Sequence, residues 1–275
     1  MPFVKRGGAR IHWDAEGLGT PVLLIMGHLY SGRMWYPLLP SLRESHRAIW
    51  FDNRGTGESA TTAKMTIADY AADALAVLDA AGAERAHVYG VSMGGGIAAE
   101  FAMRYPDRVR SLILGCTMMK TTGRSRSNWP ARLLYRLPHS VFRSLALSRM
   151  SPAGYGSAAP PEAVARDMRV IAEEQFTMKG IAAQQAAIAD YVTTREAVAR
   201  IEAPVLVLHG DEDAAVDVKY GRELAATIPG AQLSIFEGAG HNYLVAAGPQ
   251  STAALLAFLA DVDRGEASAA TRSAG

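Results

Sequence analysis

Cysteine, net charge and long apolar runs are all scarce in this sequence. Cys116 is the single cysteine among 275 residues, which excludes an internal disulfide and a zinc site built from several thiolates. The 28 basic residues nearly balance the 27 acidic ones and leave a net charge of +1, so no global basic field favours nucleic acid. No apolar stretch reaches the ~18–20 residues that span a bilayer, and residues 1–6 do not resemble the start of a signal peptide. We therefore expect a soluble, cytoplasmic protein that binds neither nucleic acid nor membrane.

Strand-like and helical segments alternate along most of the chain. Short apolar runs predict strands buried on both faces, at residues 21–26, 48–51, 86–91, 109–114, 204–208 and 232–236. Apolar residues at helical spacing predict helices at residues 67–81, 93–105, 219–228 and 249–262. Because strands that alternate with helices form parallel sheets covered on both faces, the sequence predicts an α/β fold.

Residues 117–200 break this alternation. They show no clear strand pattern and instead predict helices near 129–137, 139–150, 161–178 and 180–192, with a loop of small residues at 151–161. We interpret residues 117–200 as a helical lid inserted between the two halves of an α/β core, at 1–116 and 201–264. The small and polar residues 265–275 predict a disordered tail.

A serine lies where a predicted strand meets a predicted helix. The segment Gly90-Val91-Ser92-Met93-Gly94 ends one apolar run and opens the helix predicted from residue 93. Glycines on both sides allow the sharp turn that exposes a serine hydroxyl, and the helix N-terminus beside it favours negative charge. A glycine-rich turn with an incidental serine is the alternative. The agreement of strand, turn and helix favours Ser92 as a nucleophile.

A nucleophilic serine needs a base, and the base needs an acid that orients it. Among the seven histidines, His241 stands out because it follows a predicted strand and the glycine-rich turn at residues 237–240. Carboxylates directly follow the strand predicted at 204–208, where parallel sheets place their sites: Asp211, Glu212 and Asp213. Histidines in or beside strands are predicted to be surface or edge residues: His12, His46 and His87.

These motifs resemble those of the α/β-hydrolase family along nearly the whole chain. The order serine, acid, histidine is the order of that family. The resemblance implies an eight-stranded, mostly parallel sheet with the lid after its sixth strand. It assigns the acid to Asp213 and leaves Asp211 as the alternative. The turn FDNRGTGES at residues 51–59 resembles the family's D-x-R-G-x-G-x-S turn, which implies a structural role for Asp52.

The oxyanion hole implied by this resemblance consists of two backbone N–H groups. One belongs to Met93, and the other to His28 in the loop that follows the strand at 21–26. Most relatives carry His-Gly where this chain has Met26-Gly27. The backbone donor is kept, but the titratable side chain of His28 comes near the pocket. That side chain is either a hydrogen-bonded structural histidine or a part of the pocket.

The lid is expected to shape the substrate pocket. Its candidate lining residues are Met118, Met119, Trp129, Leu134, Phe142, Tyr155 and Phe176. The same region carries seven basic residues and no acidic ones between 117 and 161: Lys120, Arg124, Arg126, Arg132, Arg136, Arg143 and Arg149. This charge indicates a solvated face, an interface with an acidic partner, or an attraction for an anionic substrate.

The serine, histidine and acid together predict an enzyme that hydrolyses a small carboxylic ester or lactone through an acyl-enzyme, with no metal or organic cofactor. The first half is most similar to the 3-oxoadipate enol-lactonase group and to small esterases. The GVSMGG elbow also resembles that of cofactor-free haloperoxidases, which implies perhydrolysis as an alternative. A non-hydrolytic biosynthetic enzyme and a ligand-binding protein on the same fold stay open. The oligomeric state is open as well, a homodimer included.

Overall fold

The computed structural model describes residues 2–118 and 154–273. Eight strands form one sheet in the order β1-β2-β4-β3-β5-β6-β7-β8. The pairs β1 with β2 and β2 with β4 are antiparallel, and all other neighbours in the sheet are parallel. The strands are β1 Phe3–Arg6, β2 Ala9–Glu16, β3 Thr20–Ile25, β4 His46–Phe51, β5 Ala86–Val91, β6 Val109–Gly115, β7 Val205–Gly210 and β8 Gln232–Phe236.

Helices cover both faces of this sheet. Successive residues of a strand point to opposite faces, so β3 places Leu23 and Ile25 in one core and Val22 and Leu24 in the other. The helices of the described residues are α1 Leu39–Leu42, α2 Ile67–Ala80, α3 Met93–Arg104, α4 Pro161–Ala172, α5 Met178–Asp190, α6 Arg195–Val198, α7 Val218–Thr227, α8 Tyr243–Ala246 and α9 Gly248–Ser273. The first core packs against α2, α3 and α7, and the second against α1, α8 and α9.

Local sequence accounts for the ends of the predicted helices. α2 begins after Thr66, whose hydroxyl accepts a hydrogen bond from the N–H of Asp69 while the Asp69 carboxylate accepts one from the N–H of Thr66. It ends at Ala80, and Gly82 follows with a φ of +67°. α3 stops shortly before Pro106, which cannot continue a helix.

Strands β1 and β2 lie where the apolar pattern predicts none. They form an antiparallel hairpin at the sheet edge, joined through Gly7 and Gly8, both at positive φ. Most of their residues are only partly buried. Continuous apolar runs indicate strands that are buried on both faces, and neither strand of this hairpin has such a run.

The described part of the predicted lid, residues 154–200, contains α4, α5 and α6. α4 ends at Ala172, short of the predicted end at 178, and Phe176 then pairs with Thr56 in an isolated antiparallel bridge. The helices predicted at 129–137 and 139–150 lie outside the described residues, and so does the whole run of basic residues from Lys120 to Arg149.

Three histidines predicted to be surface or edge residues are buried, so that prediction is wrong. Their exposed fractions are 8%, 4% and 0% for His12, His46 and His87. Each ring has a hydrogen bond to a carboxylate or a serine hydroxyl, which offsets the loss of water.

The C-terminal segment differs from its prediction too. The backbone of α9 is helical to Ser273, across most of the tail predicted to be disordered from residue 265. This segment contains several alanines, which have the highest helix propensity, and it continues a helix that is already docked on the sheet. None of the helices in residues 2–118 and 154–273 combines the length and apolarity needed to cross a bilayer.

Candidate active site

Ser92 stands on the turn between β5 and α3, as the sequence predicts. Its φ is +56° and its ψ −120°, a backbone conformation that non-glycine residues rarely adopt. The turn is too tight for side chains at its flanks. A Cβ on Gly90 would lie 2.0 Å from the carbonyl oxygen of Gly94, and one on Gly94 would lie 2.1 Å from that of Ile25. The glycines therefore let the chain reverse and leave the serine at the carboxyl end of the strand.

The structure brings Ser92, His241 and Asp213 into one hydrogen-bonded row. Nε2 of His241 lies 3.0 Å from Oγ of Ser92, and Nδ1 of the same ring lies 2.7 Å from Oδ2 of Asp213. The three residues follow β5, β8 and β7. Because the carboxyl ends of parallel strands meet at one edge of the sheet, residues 149 positions apart come into contact there.

The Asp213 side chain is completely buried and well supplied with donors. Oδ1 accepts hydrogen bonds from the N–H groups of Ala215 and Val216, both at 2.8 Å. Nε2 of His209 lies 3.3 Å from Oδ2. Burial alone would raise the pKa of Asp213, but the hydrogen bonds from His209 and His241 outweigh it and hold the pKa well below its usual range. The group is therefore a carboxylate at neutral pH.

The two neighbouring carboxylates face elsewhere. Oδ1 of Asp211 accepts a hydrogen bond from the N–H of Gly238 at 2.7 Å and so ties the end of β7 to the turn after β8. The carboxylate of Glu212 accepts hydrogen bonds from the N–H and the hydroxyl of Ser157, at 2.6 and 2.7 Å. The structure thus pairs Asp213, and not the alternative Asp211, with the His241 ring.

Cys116 is a neighbour of this row that the sequence motifs do not reveal. It follows β6, has a φ of +39° and is buried. Its Sγ and the ligand atoms of Asp213 and His241 lie within 4.8 Å of one another, so the three side chains could also hold a metal ion. Burial opposes a charge on His241, but the Cys116 sulfur and the Asp213 carboxylate outweigh it and raise the pKa of His241 well above 6.5.

The loop after β3 lies directly against the serine. A Cβ on Gly27 would lie 3.2 Å from Cβ of Ser92, so the backbone at residues 27 and 28 passes close to the hydroxyl. On the other side, Met93 is the first residue of α3, where backbone N–H groups have no carbonyl of their own helix to bind. The two backbone segments predicted to form an oxyanion hole therefore flank Ser92.

The His28 ring contacts the described part of the predicted lid. Its Nε2 lies 3.3 Å from the carbonyl oxygen of Ile181 in α5. Burial lowers the pKa of His28 to about 4, against the opposing effect of this backbone contact. The next residue, Leu29, has a φ of +79°, and its N–H donates to Oε1 of Gln184 at 3.2 Å. The ring near the pocket is thus neutral at pH 7, and α5 fixes the loop that carries it.

Asp52 supports the same loop region from below. Its Oδ1 accepts a hydrogen bond from the N–H of Gly32 at 2.8 Å, and its Oδ2 lies 2.9 Å from both Nδ1 of His12 and the N–H of Glu58. The neighbouring Asn53 donates to the carbonyl oxygen of Met26 at 2.8 Å. These contacts agree with the structural role that the resemblance implies for Asp52.

A cavity of about 360 Å³ adjoins Ser92 and His241. Met118, one of the predicted pocket residues, does not line it and is 37% exposed, because the turn after β6 presents Cys116 to the cavity instead. Met119, Trp129 and Phe142 lie outside the described residues. The described lining residues are largely apolar or aromatic: Met26, Leu29, Tyr30, Met34, Val91, Cys116, Tyr155, Ala215, Tyr243 and Leu244.

One wall of the cavity rests on a carboxylate that the sequence does not single out. Asp167 of α4 is fully buried and accepts hydrogen bonds from the hydroxyls of Tyr36 and Tyr155, at 2.9 and 2.7 Å. It also accepts one from Nδ2 of Asn242, the neighbour of His241, at 2.7 Å. Burial raises the pKa of Asp167. The described part of the predicted lid is thereby linked to the loop that carries His241.

Comparison with known proteins identifies the architecture. Residues 20–245 match the family described as alpha/beta hydrolase fold. The chain belongs to the α/β-hydrolase fold family. Among its relatives in this family is "Putative carbamate hydrolase RutD" of Azorhizobium caulinodans, 30% identical over 96% of this chain and 100% of the relative. The 2-hydroxymuconate semialdehyde hydrolase of Pseudomonas putida is 29% identical over 94% of each chain.

A solved structure of another protein has the same fold. The enol-lactonase from Burkholderia xenovorans superposes with a TM-score of 0.82 at 24% identity, over 94% of this chain and 100% of that one. The eight-stranded, mostly parallel sheet flanked by helices, expected from the resemblance, is confirmed.

Proposed function

We propose that this protein hydrolyses a carboxylic ester or lactone through an acyl-enzyme formed on Ser92. Its broader class, a hydrolase of the α/β-hydrolase fold family, follows from the family match and its hydrolase relatives. The observation that carries the finer proposal is the hydrogen-bonded row, 3.0 Å from serine to histidine and 2.7 Å from histidine to Asp213, beside a cavity. These are the distances at which a base takes a proton from a nucleophile.

In the proposed reaction, His241 accepts the hydroxyl proton as Oγ of Ser92 attacks the substrate carbonyl. Asp213 keeps the Nδ1 proton in place and stabilises the imidazolium that forms. The backbone N–H groups of His28 and Met93 bind the developing oxyanion, and each such donor contributes on the order of 3 kcal/mol. His241 then gives the proton to the leaving alkoxide. Water next attacks the acyl-enzyme while His241 takes a proton from it, and His241 returns this proton to Oγ of Ser92 as the acid is released. The nucleophile, the base, the acid and the oxyanion donors of this scheme all belong to the protein, and water is the second substrate.

The cavity favours a small acyl group of low polarity. Its described walls include the side chains of Met26, Met34, Val91 and Leu244, which offer contact area but no charge. Methionine side chains adapt to irregular shapes, so we expect several related acyl groups to be accepted.

A carbamate is the second candidate substrate. The supporting observation is the match to the Azorhizobium caulinodans relative, whose printed name contains the words carbamate hydrolase and whose whole length is covered. A carbamate carbonyl is attacked in the same way as an ester carbonyl, so the same row of residues would serve. Perhydrolysis is a further use of this row and stays a prediction, as does the cytoplasmic location.

Turnover of a substrate panel tests the proposal. We would assay p-nitrophenyl esters, lactones and p-nitrophenyl carbamates with the wild type, with Ser92→Ala and with the matched control Ser234→Ala, whose side chain does not line the cavity. A fluorophosphonate probe should label the wild type and the control but not Ser92→Ala. Unchanged turnover in Ser92→Ala contradicts the proposal. If the probe labels the wild type but no ester or lactone is hydrolysed, the substrate is a carbamate or the reaction is not a hydrolysis.

A further inference from the structure

Two histidines and an aspartate meet at the end of the sheet opposite Ser92. His46 begins β4 and His87 is the second residue of β5, with β3 between the two strands. In the register of the sheet, Val22 pairs with both His87 and Ala48, and His46 lies two residues before Ala48. Residues two apart point to the same face. Both rings therefore project towards α9, which contributes Asp263.

The three side chains are close enough to share one ion. Nε2 of His87 lies 3.1 Å from Oδ1 of Asp263, and Nε2 of His46 lies 3.4 Å from Oδ2. All three ligand atoms lie within 4.8 Å of one another. Ligands of a tetrahedral zinc ion, bound at about 2.0–2.2 Å, are roughly 3.3 Å apart, so small side-chain movements bring this set into range.

The remaining ring nitrogens are held by serine hydroxyls. Nδ1 of His87 lies 2.7 Å from Oγ of Ser111, and Nδ1 of His46 lies 2.8 Å from Oγ of Ser45. A hydroxyl can accept a hydrogen bond from an Nδ1–H group, which leaves Nε2 with its lone pair free to bind a metal. Such partners orient the histidines in known metal sites.

The Nε2 atom of His46 faces Asp263 without a hydrogen bond of normal geometry. Among the residues that the structure describes, none meets that geometry for this buried atom, and the side chain is 5% exposed. A buried polar atom left unpaired destabilises a fold. Asp263, by contrast, is 28% exposed at its side chain, which gives an ion a path from solvent. The unpaired atom thus faces a carboxylate that solvent can reach.

Other charged groups surround this cluster. Arg110 lies 3.4 Å from Oδ1 of Asp263 and forms a closer ion pair with Glu266. Arg85 also pairs with Glu266, at 3.4 Å. The guanidinium of Arg110 competes with a cation for Asp263, while Glu266 partly neutralises both arginines. Removal of the Arg110 charge should therefore strengthen cation binding.

We propose that His46, His87 and Asp263 bind a divalent ion of the zinc type and fasten α9 to the sheet through it. Two imidazole nitrogens and one carboxylate form a donor set that zinc prefers, and water would take the fourth position. The site is separate from the hydrolase site and does not depend on the proposed function.

Metal-dependent thermal stability of the full chain tests this inference. After treatment with a chelator, ZnCl₂ at about 100 times the dissociation constant should raise Tm by roughly 5 °C. Isothermal titration should give one high-affinity site. Cobalt(II) should produce the visible absorption typical of a four-coordinate ion.

Matched variants distinguish this site from the second group of side chains that could hold a metal ion, formed by Cys116, Asp213 and His241. Asp263→Asn, at a partly exposed position, should weaken zinc binding at least about tenfold, whereas His241→Gln should leave it unchanged and Arg110→Gln should strengthen it. His87→Gln provides a second test at a ligand. The inference is overturned if zinc neither binds nor raises Tm, or if binding survives in Asp263→Asn and disappears in His241→Gln. In the first case the cluster is a hydrogen-bonded link between α9 and the sheet, and in the second the ion sits beside Ser92.

Discussion

At the scale of single residues, Asp211 and Asp213 lie only two positions apart in the sequence but have different roles. Both follow β7 and both accept backbone hydrogen bonds. Only Asp213 also contacts the His241 ring, at 2.7 Å, whereas Asp211 holds the turn that precedes this histidine. One carboxylate can therefore act on the base directly, and the other positions the loop that carries it.

This difference predicts contrasting effects of the two amide substitutions. Asp213→Asn should lower kcat by roughly 10⁴-fold, because an amide at this place favours the wrong imidazole tautomer. Asp211→Asn keeps an oxygen for the N–H of Gly238 and should lower kcat far less. We would measure ester turnover and Tm for both variants. A greater loss of kcat in Asp211→Asn would mean that the acid has been assigned to the wrong carboxylate.

The raised pKa of His241 predicts a pH profile for catalysis. Only the neutral ring can accept the serine proton, so kcat/KM should rise with pH, with an inflection above 6.5. Cys116→Ala removes a group that raises this pKa and should move the inflection to lower pH. The measurement is kcat/KM for a neutral ester from about pH 5 to about pH 10. An inflection that stays in place in Cys116→Ala would show that the Cys116 sulfur does not raise the pKa of His241.

Single residues were predictable from sequence where a local motif constrains them. Ser92 is marked by the glycines around it, and His241 by its place after a strand and a flexible turn. Nothing local marks Cys116 or Asp167, because their neighbours come from distant parts of the chain. The burial of His12 and His87 was not predictable for the same reason, because their partners lie 40 and 24 positions away.

At the scale of elements, the turn from β5 to α3 depends on where each glycine sits. A Cβ on Gly94 would lie 2.1 Å from a backbone oxygen of β3, which cannot move away without breaking the sheet. A Cβ on Gly96, in the same helix, would lie 3.8 Å from the Tyr191 ring, an ordinary contact. The same glycine-rich segment thus contains one position that excludes a methyl group and one that tolerates it.

Two alanine substitutions test this contrast. Gly94→Ala should lower the free energy of unfolding by about 3 kcal/mol through overpacking. Gly96→Ala should raise it by up to about 1 kcal/mol, because alanine is the better helix former. Urea denaturation of both variants gives the comparison. Equal stability of the two would mean that the strand carbonyl near Gly94 can shift.

Elements buried on both faces were predictable, and elements of mixed exposure were not. β3, β5 and β7 are continuous apolar runs and stand out in the sequence. β1 and β2 have no such run, and their pairing depends on each other and on β4. The small residues of the C-terminal segment carry no apolar periodicity and so predict a disordered tail, although alanine itself favours the helix that forms.

At the scale of the whole molecule, the neutral His28 ring makes stability depend on pH. Its pKa is about 4 in the folded state and 6.5 in the ordinary unperturbed state. Between pH 6.5 and pH 4, His28 is therefore protonated in the unfolded chain but largely neutral in the folded protein. The neutral His28 ring makes its full contribution to the free energy of unfolding above pH 6.5. This contribution is lost as the pH falls towards 4, by at most about 1.4 kcal/mol per pH unit.

A His28→Gln variant isolates this contribution. The glutamine cannot titrate, so its free energy of unfolding should fall less steeply than that of the wild type between about pH 6.5 and about pH 4. Urea denaturation at several pH values measures both slopes. Parallel slopes would show that the His28 ring is protonated in the folded protein as readily as in the unfolded chain.

The overall architecture was predictable because its signals are spread along the entire chain. Alternating strands and helices indicate the sheet, and the order of Ser92, Asp213 and His241 indicates which edge carries the site. Most of the cavity walls were not predictable, since Met34 and Leu244 reach the cavity through packing rather than through any motif, whereas Tyr155 lines it as expected for the predicted lid. Size and polarity of a substrate are set by such walls.

The long separation between Ser92 and His241 has a consequence for protein synthesis. The ribosome releases the serine 149 residues before the histidine, and β8, which leads to that histidine, is the last strand of the sheet to be synthesised. A nascent chain that has folded its first six strands therefore presents a serine without a base. Under the proposed function such a chain cannot cleave an ester, and the onset of cleavage during refolding would report the docking of β8.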